Sequence, residues 1–119
     1  MEKRTLTVTT KPDWRAALRA AARGAFTAEA YQGETLNFET PAAFFSRLTE
    51  KRWAMLHALK GAGEVAVREL ARRLERDVKR VHEDAGVLVE LGLLERTERG
   101  GLVCPFDDIH VDTHLKRAI

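Results

Sequence analysis

Six basic side chains, Arg68, Arg72, Arg73, Arg76, Lys79 and Arg80, crowd into a stretch of thirteen residues that holds only three acids, Glu69, Glu75 and Asp77. Positive charge at this density suits a polyanion. Lysine and arginine neutralise phosphates without regard to base sequence, whereas an arginine held at the right angle donates two parallel hydrogen bonds to one guanine edge. Just beyond the cluster come His82 and Glu83, and further on Arg96 and Arg99, the second of them beside Gly100-Gly101. A chain whose net charge is only +2 has gathered its excess in one place, and duplex nucleic acid is the partner that such a place anticipates.

Other groupings of reactive residues point to less. Asp108, His110, Asp112 and His114 alternate along one stretch, and two imidazoles with two carboxylates are a donor set for a divalent metal. Along a strand the outer members stand far apart, and a solvated strand face accounts for the same residues without a ligand. His57 is expected at the edge of an apolar helix face. Cys104 is the single cysteine, which excludes an intrachain disulfide, and it reads as a small buried thiol. No nucleophile stands beside a base, no carboxylates pair at catalytic spacing, and Gly61-Ala62-Gly63 is too short to cradle a phosphate. Neither catalysis nor a cofactor or metal is expected.

The cationic residues become a reading surface only if helices hold them. Glu64-Val65-Ala66-Val67 leads into a short helix whose inner face is Leu70, Ala71 and Leu74. Glu75-Arg76 is a turn, Asp77 an N-cap, and a longer helix then runs to about Leu91 with Gly92 as its stop. On that helix Val78, Val81, Ala85, Leu88 and Leu91 recur at spacings of three and four and are expected to face the core. Lys79, Arg80, His82 and Glu83 are left outside, on the turns that a DNA-reading helix presents to base edges. Arg80 suits guanine, Lys79 and His82 suit a base or a phosphate, and Glu83 either accepts from a cytosine amino group or pairs with Lys79 one turn earlier. Arg72, Arg73 and Arg76 lie at or before the turn, where phosphates would pass. Strands over 93–97 and 102–106 flank a glycine-rich hairpin tip carrying Arg99, with Arg96 on the first strand.

Upstream, residues 5–10 alternate threonine with Leu6 and Val8, the period of a half-buried strand, and a helix is expected over 12–23 with Trp14, Ala17, Leu18 and Ala21 on one face. A loop over 26–33 and a short strand over 35–38 follow. Thr40-Pro41 opens a short helix carrying Phe44, Phe45 and Leu48, and Thr49 caps the next, on which Trp53, Leu56, His57 and Leu59 are expected to be buried. After Pro105, Ile109, Val111, Thr113 and Leu115 alternate with polar residues as a last half-buried strand. The expected division is an extension over 1–48, a reading domain over 49–106, and a strand and tail over 107–119. With 45% hydrophobic and 32% charged residues of both signs, the 119 residues suit a folded globular protein. No run approaches the roughly 20 apolar residues that span a bilayer, and Met1-Glu2-Lys3-Arg4 does not lead into an apolar core, so a cytoplasmic protein without membrane contact is expected. Leu6, Val8, Trp14, Leu18, Phe44 and Phe45 lie outside the reading domain and are expected to form a dimer or partner surface.

The segments LTEKRWAMLHAL, VRELARRLERDVKRVHEDAGVLVELGLLE and DDIHVDTHL resemble the small winged-helix transcriptional regulators of bacteria and archaea, related at fold level to the MarR and ArsR groups. Arg76, Asp77, Lys79, Val81 and His82 match the start of that group's recognition helix. Arg80 and Glu83 depart from it, where a smaller polar residue and a basic one are usual. The ArsR cysteine pair is missing, so metal sensing of that kind is not implied. The resemblance implies an α+β winged helix-turn-helix with an N-terminal strand-helix extension and a C-terminal strand. It implies a DNA-binding regulator of transcription, and with the residue pattern above the expectation is a homodimeric, sequence-specific one, in the first instance a repressor, that contacts double-stranded DNA through Arg72, Arg73, Arg76, Lys79, Arg80, His82, Glu83, Arg96 and Arg99. The alternative is an antitoxin that neutralises a co-encoded toxin protein and autoregulates its operon.

Overall fold

Parallel strands cannot be joined by a tight turn, and that constraint organises this chain. The computed structural model describes residues 4–12 and 33–113. In chain order its elements are β1 (Thr5–Thr9), β2 (Glu34–Asn37), α1 (Pro41–Arg47), α2 (Glu50–Leu59), α3 (Val67–Leu74), α4 (Val78–Glu90), β3 (Glu95–Arg96), β4 (Leu102–Val103) and β5 (Asp108–Asp112). The protein is therefore α+β. β1 is the middle of a three-stranded sheet ordered β2-β1-β5, and both of its pairings are parallel. Chain contacts divide the molecule into Met1–Ser46 with Asp108–Ile119, and Arg47–Asp107. The second unit is thus inserted between two strands of the first. Sequence alone suggests three consecutive segments, the last a strand and tail over 107–119; residues 108–112 form a strand that pairs with β1 and belongs to the first unit, because β1 supplies the ladder it needs.

In the first unit, Leu6 and Val8 are buried, and the register sets Val8 between Leu36 and Val111. Thr9 is the one buried polar residue among the described residues, and its hydroxyl donates to Asn37 Oδ1 at 2.6 Å. That same oxygen accepts from the Lys11 amide at 2.8 Å, so Asn37 ties off the end of β1. At the other end the Arg4 guanidinium grips Glu34 with bonds of 2.8 and 3.1 Å. Thr40 Oγ1 accepts from the Ala43 amide, and α1 turns Phe44 edge-on to Phe38 with ring centroids 5.7 Å apart. Leu6, Val8 and Phe44 are therefore core residues of this chain and not an association surface, while Phe45 is 62% exposed. The helix expected over 12–23, with Trp14 and Leu18, lies outside the described residues, as do His114 and Leu115.

The second unit is built on α2, α3 and α4, which pack against one another pairwise. Thr49 Oγ1 caps α2 through the Arg52 amide. Its buried residues are Met55, Leu56 and Leu59, with Arg52 half-buried on the same stripe. Trp53 and His57, expected inside, are exposed. Apolar residues surround most of this helix, so periodicity does not choose its inner face, and the true stripe is begun by the aliphatic stem of a charged residue. On α3 and α4, Leu70, Ala71, Val81, Ala85 and Leu88 are buried as their spacing requires, and Leu74 and Leu91 are half-buried. Val78 is not: it is 43% exposed at the first turn of α4, beyond the edge of the core.

The chain leaves α4 through Gly92, whose φ of +83° is the left-handed conformation that a glycine adopts at least cost. There the Gly92 amide donates to Val89 O and the Leu93 amide to Leu88 O, the paired bonds of a Schellman cap. Leu93 and Leu94 drop into the core as bends, so β3 begins only at Glu95 and the hairpin ladder is shorter than the sequence suggests. β4 pairs antiparallel with β3, and its Leu102 exchanges bonds of 2.8 and 2.9 Å with Val65, a third, single-residue rung ahead of α3. Cys104 is buried, its thiol donating to Phe106 O, and burial pushes its pKa up, which leaves it an unreactive thiol.

The contrast between Leu88 and Val78 is measurable. Leu88→Ala should destabilise the protein by about 2–5 kcal/mol, because it opens a cavity among fully buried neighbours. Val78→Ala should change stability by no more than about 0.5 kcal/mol in the same urea titration.

Candidate nucleic-acid interface

The exposed face of α4 depends on how α3 gives way to it. α3 ends at Glu75, which stands at φ 54°, ψ 46°, in the left-handed region with a side chain other than glycine's. The Glu75 amide donates to Arg72 O and the Arg76 amide to Ala71 O, again the Schellman pattern. Arg76 follows, and Asp77 then caps α4, its carboxylate accepting from the Arg80 amide at 3.2 Å. Three residues thus reverse the chain. Because Val81, Ala85 and Leu88 are locked inward, Lys79, Arg80, His82 and Glu83 all stand exposed on the first turns of α4.

Lys79, Arg80 and Glu83 line one wall of an open cleft of about 790 Å³, with Asp77, Arg76 and Asp84. The opposite wall is the start of α2, Thr49 to Arg52. His82 is not among these residues and sits on the other flank of α4. The one-turn pair Lys79–Glu83 is not formed among the described ion pairs, so Lys79 is not held by its own helix.

The other expected contacts fare differently. Arg72 and Arg73 are exposed on α3, but both bind Glu69, through Nε–Oε distances of 3.0 Å in each case. These bonds, from Arg72 first and Arg73 second, hold the Glu69 carboxyl down at about 2, so the trio presents one net positive charge at any working pH. Arg76, expected at the phosphates, is paired within the fold. Its side chain is only 16% exposed, Nη2 donates to Asp84 Oδ2 at 2.6 Å, and Nη1 points at Met55 Sδ 3.6 Å away. It lines the cleft with its charge already engaged by Asp84. Arg96 lies back across α4, with Nη2 4.0 Å from where a Cβ on Gly86 would stand. Arg99 is exposed at the hairpin tip, where Gly100 takes a φ of +82° and the Thr97 amide donates to Gly101 O at 3.0 Å. Gly101 has a steric reason too, since a Cβ there would come within 2.7 Å of the Glu64 side chain, which accepts from Thr97 Oγ1.

Three further residues of this surface are not among the contacts expected from the sequence. Lys51 joins the cleft from the first turn of α2, and only the N-cap at Thr49 hints that it lies at a helix start. Val78 offers an apolar contact beside Lys79. Asp84 has the clearest signal, being the charged residue between Val81 and Leu88 on the flank nearest the core. Its oxygens take Arg76 Nη2 and, at 3.0 Å, Arg52 Nε. Burial opposes its ionisation more than any single contact favours it, but the bonds from Arg76 and then Arg52 together leave its pKa below the ordinary carboxylate value. Among the described residues there is no cluster of His, Cys, Asp or Glu fit for a metal, and no helix is long and apolar enough to cross a membrane.

Residues 47–111, more than half of the chain, match the HVO_A0114 family. No curated protein matches the chain.

Three substitutions test this local geometry. Asp77→Ala removes the cap of α4 and should cost about 1 kcal/mol. Glu75→Gly relieves the left-handed residue and should raise stability by about 0.5–1 kcal/mol, which a thermal melt would register. Asp84 is more acidic folded than unfolded, so its contribution is complete above the unfolded value near 4 and is lost as pH falls through the folded one. The stability gap between wild type and Asp84→Asn should therefore hold at about 1–3 kcal/mol from pH 7 to 5 and close in stronger acid. A gap that widens on acidification would reverse that assignment.

Proposed function

The chain belongs to the HVO_A0114 family, and we propose that it is a sequence-specific DNA-binding regulator that reads duplex DNA as a winged helix-turn-helix, α3 and α4 forming the helix pair and β3–β4 the wing. The observation that carries this reading is the first two turns of α4. They expose Val78, Lys79, Arg80 and His82 together on a helix whose other side is buried and whose ends are both capped. A helix fits the major groove, and side chains on its leading turns reach base edges when its own position is fixed. Arg80 suits the two acceptors of guanine, Lys79 and His82 a base or phosphate, and Val78 the methyl group of thymine. Arg72, Arg73 and Lys51 supply phosphate contacts, and Arg99 reaches the minor groove or its phosphates from the hairpin tip.

One such head makes few contacts. Two copies on half-sites about 34–36 Å apart supply the usual specific affinity, and occupation of such an operator is the simplest route to repression. The test is fluorescence anisotropy on a duplex selected by the protein from a random library, with a scrambled duplex of equal length as reference. Affinity for both should fall steeply between about 50 and 200 mM salt, with the selected duplex preferred throughout. Lys79→Ala with Arg80→Ala should weaken the selected complex by roughly 1–3 kcal/mol per lost base contact and erode the preference. Arg99→Ala should weaken both complexes alike and lower the salt slope by about 1. Failure of the wild-type protein to enrich any sequence would sink the reading.

A further inference from the structure

We propose that Asp84 is a positioning residue for specificity: it holds Arg52 and Arg76 away from DNA phosphates and, through them, sets the angle at which α4 presents Lys79 and Arg80. This rests on the DNA-reading role of α4. Three parts of the fold meet at one carboxylate. Oδ1 takes Nε of Arg52 from α2 at 3.0 Å, and Oδ2 takes Nη2 of Arg76 from the turn at 2.6 Å. Arg52 Nη1 also donates to Arg47 O at 2.9 Å, so its guanidinium is anchored at both ends. The side chains of Arg52, Arg76 and Asp84 are 20%, 16% and 17% exposed, which leaves the triad at the floor of the cleft rather than in bulk solvent.

A partly desolvated ion cluster of this kind is a weak source of net stability, since desolvation offsets most of its Coulomb attraction. It does fix geometry. Two guanidinium groups bonded to one carboxylate tie α2, the turn and α4 together by directional bonds, which the non-directional apolar packing of Val81, Ala85 and Leu88 does not supply. The placement matters as well. Lys51, Lys79 and Arg80 line the same cleft with Glu50, Asp77 and Glu83, so two unpaired arginines there would turn a balanced lining cationic. Phosphate contacts raise affinity for every sequence equally and carry no information. Asp84 takes one N–H from each guanidinium that a phosphate would otherwise accept, and so subtracts affinity that does not discriminate.

A residue that only supported the fold would, when replaced, weaken all binding. Asp84 predicts the opposite for random DNA. With Asp84→Asn, anisotropy on the selected and scrambled duplexes should show tighter binding of the scrambled one. The slope of log affinity against log salt should steepen by about 1 to 2, at roughly 0.9 per added phosphate. The ratio of the two affinities should fall about tenfold, the loss of one good base contact. The triple variant Arg52→Gln, Arg76→Gln, Asp84→Asn lacks the released cations, so its salt slope should return to the wild-type value while discrimination stays low. Circular dichroism and a melt confirm folding. Should Asp84→Asn not fold, Arg52→Gln keeps the Arg76–Asp84 bond and should lower discrimination without steepening the slope. An unchanged ratio in the folded variant, or equal weakening on both duplexes, overturns the proposal. Absence of any preference in wild type is a separate result and refutes the DNA reading itself.

Discussion

The second unit depends on the inward stripe Val81, Ala85 and Leu88, which is fully buried where α4 packs on α2 and α3. A helix has one rotational freedom about its axis, and this stripe decides which face turns inward. Turning α4 by one residue, about 100°, would bring Arg80 and Asp84, or in the other sense His82, into a space now filled by methyl groups, at the cost of burying a polar or charged group. The outward direction of Lys79, Arg80, His82 and Glu83 is therefore a consequence of apolar packing rather than of any interaction those residues make. Both ends are secured as well, by Asp77 at the start and by the Gly92 cap at the finish, which returns Leu93 and Leu94 to the same core.

Charge in space differs from charge in sequence. Of the basic residues between 68 and 80, Arg72 and Arg73 share Glu69, and Arg76 is consumed by Asp84 together with a distant arginine, Arg52. The cationic surface that remains is narrower and more directional than the run of letters suggests. It consists of a few side chains on the leading turns of one helix, the start of α2 and a hairpin tip.

The first unit obeys a different constraint. Its three strands are all parallel, so each pairing needs a long connection, and the connection that delivers β5 to β1 includes the whole of the second unit. Strand β5 thereby becomes part of a sheet begun at the other end of the chain. The polar residues Asp108, His110 and Asp112 are accounted for as the exposed face of that strand.

Local features are legible in the order of the residues. The α+β composition, the start and end of α3 and α4, the Asp77 cap, the Gly92 stop, and strands near 5–9, 35–37 and 108–112 all follow from signals carried within a few residues: spacing of apolar side chains, caps and glycine at turns. The hairpin tip follows too, though its ladder is shorter than the apolar runs around it. Matters settled by residues far apart along the chain are not legible in this way. The inner face of α2 is ambiguous in sequence because apolar side chains surround that helix, and only its neighbours choose Met55, Leu56 and Leu59 over Trp53 and His57. The exposure of Val78 depends on where the core ends, the fate of Arg76 on an aspartate eight residues on and an arginine on another helix, and the sheet on a partner strand a hundred residues away. Backbone propensity and periodicity act over one or two turns, whereas burial, ion pairing and parallel pairing are set by tertiary contact.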